Sequence, residues 1–127
     1  VAPIIAGLTD HEIPSILNAA AEAGAQFAGY TVLRLPLGVA PLFEQWLDQH
    51  VPTRKEKVLN RIREMRDGRL NDSRFKYRMK GEGIFAEQIG ALFKMARKKA
   101  RIGAEYPQLS IQAFRRPHPN GQLGLFG

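Results

Sequence analysis

The order of patterns in the first 36 residues restricts the fold more than any other feature of this chain. An apolar run from Val1 ends in Gly7-Leu8-Thr9-Asp10, a stretch with Ile13, Ile16, Leu17 and Ala20 at helical spacing runs to Gly24, and residues 30–35 then alternate. Strand, helix and strand in that order make one βαβ unit, because parallel strands need a crossover between them. Thr9-x-x-Glu12 has the form of a capping box. Pro14 is tolerated only near a helix start, so the regular helix is expected from Ile13, after a turn. In the second strand Thr31, Leu33 and Leu35 take one face and Tyr30, Val32 and Arg34 the other, with Arg34 its single charge.

The remainder reads as helical. A second helix is expected to start at Pro41, with Leu42, Phe43, Trp46 and Leu47 as one apolar stripe packed in the core. Pro52-Thr53 with Glu56 opens a third, whose buried face is Val58, Leu59, Ile62 and Met65. Arg54, Lys55, Lys57, Arg61, Arg63 and Arg66 fill its other faces, and Gly68 ends it. A fourth helix follows Gly83, with Phe85, Ile89, Leu92, Phe93 and Ala96 inward and Lys94, Arg97, Lys98, Lys99 and Arg101 toward its C-terminal end, where cations suit the helix dipole. Leu109 to Phe114 is expected to form a short strand, and 117–127 an extended tail.

The net charge of +7 over 127 residues is unevenly placed. Residues 1–53 carry one basic and five acidic side chains, whereas 54–101 carry sixteen basic and six acidic, a net +10. The middle of the chain is therefore a basic module. There is no cysteine, which excludes disulfides and thiolate metal sites, and His11, His50 and His118 lie too far apart for a spacing-based metal motif. We read them as structural and expect no metal. No stretch approaches the roughly 20 apolar residues of a membrane span, and the N-terminus lacks the basic start of a signal peptide. A cytoplasmic protein without membrane contact is expected.

Arg74-Phe75-Lys76-Tyr77-Arg78-Met79-Lys80 alternates basic and apolar residues strictly. Extended, it presents Arg74, Lys76, Arg78 and Lys80 on one side and Phe75, Tyr77 and Met79 on the other. The cations then contact phosphates, or the rings stack on unpaired bases; a solvated edge is the competing reading. Lys80-Gly81-Glu82-Gly83 before a helix has the outline of an anion cradle, although Glu82 repels anions and a simple turn explains the same residues.

The first segment, with Arg34-Leu35-Pro36, Pro41-Leu42-Phe43, Trp46-Leu47, Gly68-Arg69-Leu70-Asn71-Asp72 and Phe114-Arg115-Arg116-Pro117, resembles the C-terminal portion of radical S-adenosylmethionine proteins related to spore photoproduct lyase, the DNA repair photolyase group. The resemblance implies a helix-rich α/β chain: the last βαβ unit of a partial (β/α) barrel over 1–36, a mainly helical basic extension over 37–116 and a tail over 117–127. It also implies a parent enzyme that binds S-adenosylmethionine and an iron-sulfur cluster, the latter through a C-x-x-x-C-x-x-C loop supplied by a missing N-terminal barrel. No cofactor is expected in this chain alone, and no catalysis. Strand ends in such barrels face the cofactor, which makes Ala6, Gly7, Leu8, Thr9, Asp10 and Arg34 the candidate cofactor-side residues. Thr9 stands where asparagine is more usual, and Ala6 where proline is common. Finally, Gln122-Leu123-Gly124-Leu125-Phe126 resembles the peptide that docks on bacterial sliding clamps, with Gln122, Leu123, Leu125 and Phe126 as anchors. The competing reading, a nucleic-acid or clamp adaptor without radical chemistry, rests on the basic module and this tail.

Overall fold

The structure is a computed structural model, and it describes residues 1–75 and 77–114. Four helices dominate: α1 (Ile13–Glu22), α2 (Val39–His50), α3 (Lys55–Met65) and α4 (Gly83–Lys99), with single 3-10 turns at Asp10–Glu12 and Pro52–Arg54. The chain is helix-rich, as its periodicity implies. No helix among the described residues is long and apolar enough to cross a membrane.

Helix α1 begins after the Asp10–Glu12 turn with Pro14 in its first turn, where a missing N–H costs nothing. The capping box does not form. The Thr9 hydroxyl instead accepts the Ile5 N–H at 2.9 Å, which turns it back onto the preceding loop. Gly24, at φ +89°, ends the helix as expected, with its N–H donated to the Ala21 carbonyl. Helix α2 starts two residues before Pro41, at Val39, because a proline is harmless anywhere among the first unbonded amides. Its apolar stripe is divided. Leu47 is fully buried and Phe43 half-buried, while Leu42 is 64% and Trp46 41% exposed. Trp46 stacks instead on Phe43 and lies against His50. All four inward residues assigned to α3 are buried, and the α4 face is led by Ile89, Phe93 and Ala96.

Between the helices, residues 4–6 and 30–35 run side by side. Ile4 donates its N–H to the Thr31 carbonyl and accepts the Leu33 N–H, both at 2.9 Å, which is one parallel bridge, Ile4 to Val32. The pairing stops there, and no strand is present among the described residues. The next rung of a parallel ladder would bring the Ala6 N–H to the Leu33 carbonyl, and that carbonyl accepts from Arg66 Nη2 at 2.9 Å. The N–H groups of Ile5 and Gly7, which face away from residues 30–35 in this register, are taken up within the 5–10 loop. On the far side, the Val32 N–H goes to the Met79 carbonyl.

Alternation is nevertheless kept. Ile4, Ala6, Tyr30 and Val32 belong to an apolar cluster with α1 and α4, whereas Ile5, Leu8, Leu33 and Leu35 belong to a second with α2 and α3. These short extended stretches are thus a partition with a helical layer on each face. The expected strand at Leu109 to Phe114 does not form: Leu109, Ile111 and Phe114 are exposed, and the Phe114 N–H closes a turn on the Ile111 carbonyl.

Candidate nucleic-acid interface

The alternating segment 74–80 is not extended. Tyr77 and Arg78 both donate their N–H to the Arg74 carbonyl, at 3.1 and 2.9 Å, and Gly81 donates to Tyr77 at 2.8 Å, so the chain coils through successive turns. Tertiary partners override the period of two. The Arg74 guanidinium forks onto the Asp72 carboxylate, reaches Glu82 at 2.9 Å and lies over the Tyr77 ring. Arg78 sits over Phe75, and Lys80 over Tyr30 at 5.2 Å. Lys76 lies outside the described residues. The side-chain and backbone hydrogen bonds from Arg74 hold Asp72 down at about 2, from an ordinary 3.8, and the same carboxylate raises Arg74. Arg74 is therefore satisfied within the chain. In the following turn, Glu82 donates its N–H to the Met65 carbonyl. Gly81 lies at φ +71°, where a Cβ would stand 3.1 Å from that same carbonyl. The residues of the supposed anion cradle thus form a turn docked on the end of α3.

Arg66, grouped by sequence with the solvent-facing cations, is 2% exposed. Its Nη1 donates to the Tyr77 carbonyl at 2.6 Å and its Nη2 to Leu33. Burial lowers its pKa, opposed by the nearby Asp72. A signal was available: position 66 lies four residues after Ile62 and seven after Leu59, on the apolar face of α3.

The candidate cofactor loop directs its polar groups to itself and to α3. Gly7, at φ +80°, donates its N–H to Asp10 Oδ2 at 3.1 Å, and a Cβ there would stand 2.8 Å from Arg61 Nη1. Arg61 lies 3.7 Å from the same Asp10 oxygen and over the Phe85 ring. Ala6 is buried, and Leu8 packs toward α3. Beside this loop a cleft of about 270 Å³ is lined by Ala6, Asp10, Phe85, Gln88, Ile89 and Leu92. Arg34 points elsewhere, with Nη1 at 3.9 Å from Met79 Sδ. With no cysteine in the chain, thiolate ligands for an iron-sulfur cluster do not come from these residues.

Five cations fall into two groups. Arg74 and Arg66 are committed to internal acceptors, whereas Lys80, Lys94 and Arg97 meet at one cleft of about 390 Å³ with Tyr30 and Tyr106 on its walls and Phe93 beneath. Among the described residues no acidic side chain lines it. Helix α4 presents Gly90, Lys94 and Arg97 to it from one face, at the i, i+4, i+7 spacing that aligns side chains. The absence of a side chain at Gly90 leaves room for the Tyr30 hydroxyl, since a Cβ there would lie 3.1 Å from it. Tyr30 in turn packs on Phe93 at 4.7 Å, and burial raises its pKa. Of the described residues expected to bind nucleic acid, only Lys80 takes part in this cleft; Lys94 and Arg97 were read as helix-end cations, and Tyr30 and Tyr106 carried no sequence signal as partners. Gln122, Leu123, Leu125 and Phe126 lie outside the described residues.

Comparisons with family models, with curated proteins and with solved structures return no match for this chain.

Proposed function

We propose that this chain is a nucleic-acid-binding C-terminal portion of a radical S-adenosylmethionine protein of the spore photoproduct lyase-like group. The observation that carries the binding half of this reading is the cleft where Lys80, Lys94 and Arg97 converge with no carboxylate among the lining residues. Cations that converge without an internal counter-charge favour a polyanion over a solvated face, because like charges brought together repel unless a ligand neutralises them. The net +10 of residues 54–101 extends that field beyond the cleft.

The barrel half is supported by the parallel Ile4 to Val32 bridge on either side of α1, and by the partition that puts helices on both faces of it. In that reading the loop at residues 6–10 closes the cofactor end of a parent barrel, and this chain supplies no cluster ligand. Its own work is to hold the substrate strand.

Binding is tested by fluorescence anisotropy of a labelled oligonucleotide over a salt series. The intact chain should lose affinity steeply with salt, and the Lys80→Ala, Lys94→Ala, Arg97→Ala triple variant should flatten the logarithmic slope by about 2, at roughly 0.7 per phosphate contact on a single strand. A salt-independent interaction, or none at low salt, overturns it. The family is tested separately by sequencing the gene upstream of the Val1 codon. A C-x-x-x-C-x-x-C loop is expected there, and its absence leaves the chain a binding module alone.

A further inference from the structure

We infer that the cleft between α4 and residues 28–30 seats one unpaired nucleotide of a single strand, the base against Tyr106 and its phosphate between Lys94 and Arg97. This rests on the nucleic-acid reading above and goes further, to the strandedness of the ligand and to the residue that selects it.

Three observations converge. Tyr106 is 71% exposed although it is held in place: its ring leans on Phe27 at 5.4 Å, and its hydroxyl occupies the space that a side chain at Gly29 would fill, 2.9 Å from an ideal Cβ. The parallel bridge from Phe27 to Gly103 ties the two loops that carry this pair. An aromatic ring that is fixed at its edge and open on its face is a stacking platform, and it loses little conformational freedom when a base lies on it. Next, the cations are divided by role. Lys80 rests on the Tyr30 ring at the rim, while Lys94 and Arg97 rise from α4 one turn apart, with no ion pair among the described residues. Finally, about 390 Å³ falls within the range of about 300–1,000 Å³ in which proteins seat small ligands, enough for one base with its sugar and phosphate. In a duplex the base faces are covered by their neighbours, so a platform of this kind rewards only an unpaired base.

The test compares a short fluorescein-labelled oligothymidylate with its duplex with oligoadenylate, titrated with the intact chain and with Tyr106→Ala, Tyr106→Phe and Lys94→Ala/Arg97→Ala variants. Tyr106 is exposed, so its truncation leaves the core packed, and unchanged circular dichroism checks this. Tyr106→Ala should weaken single-strand binding about 5- to 150-fold, the range found when one stacked base loses its platform, and change duplex binding less than about twofold. Tyr106→Phe keeps the ring and should keep the affinity. Lys94→Ala/Arg97→Ala should weaken binding and flatten its salt dependence. Thymidine monophosphate at millimolar concentration should displace the strand, since the site reads one base and one phosphate; a strand that stays bound contradicts a single-nucleotide site. Equal loss on both strands, or none, for Tyr106→Ala overturns the inference and leaves general nucleic-acid binding standing if the salt slope persists. No binding by the intact chain removes both.

Discussion

Replacing Arg66 with alanine is expected to lower the stability of the chain by about 3–5 kcal/mol, because two charge-assisted hydrogen bonds are lost at roughly 1.5–3 kcal/mol each and the partly buried Leu33 carbonyl is left without its donor, while Gly81 still serves Tyr77. Arg66 extends from the end of α3 to the carbonyls of Leu33 and Tyr77, and so ties three segments that no continuous strand joins. The midpoint of thermal unfolding should fall by about 10 °C or more at this size. Arg66→Met, which keeps the length of the side chain without its donors, should recover packing but not bonding and fall between the two. Chemical denaturation of the three proteins checks this. A loss below about 1 kcal/mol for the alanine variant would show that water replaces the guanidinium without penalty.

Phe93→Ala should cost a similar amount, about 3–5 kcal/mol, by opening a void in the cluster between α1 and α4. Its ring supports Tyr30 from below, so the loss is transmitted to the wall of the cleft. Phe75→Ala provides the contrast: that ring is 81% exposed, and its truncation should stay within about 0.5 kcal/mol. Equal melting temperatures for the two variants would mean that the cluster does not depend on Phe93.

What the sequence disclosed depended on how far neighbours along the chain decide structure. The buried face of α3 was legible because Val58, Leu59, Ile62 and Met65 follow a period that any partner would bury in the same way. The alternation at 74–80 was misleading because Asp72 and Glu82 capture Arg74, and the coiled backbone follows that capture and not the period of two. Paired apolar segments around α1 were legible as well, but not that their pairing would stop at one bridge with the buried Arg66 reaching the Leu33 carbonyl. The cleft was hidden for a different reason. Its parts come from residues 28–30, 80, 90–97 and 106, and nothing in local spacing brings Tyr106 against Gly29.

The partition formed by residues 4–6 and 30–35 makes this region far more sensitive to length than to side-chain identity. Each step along it hands the next side chain to the opposite helical layer. A conservative exchange of Leu33 or Val32 disturbs one layer, but adding or removing a single residue between Tyr30 and Leu35 transposes them, sending Val32's place in the α1/α4 layer to a residue shaped for α2/α3 and placing Arg34 where an apolar side chain belongs. Descendants of this gene can therefore vary in composition across this stretch and still fold, while insertions and deletions should accumulate elsewhere, in the turns that join the helices.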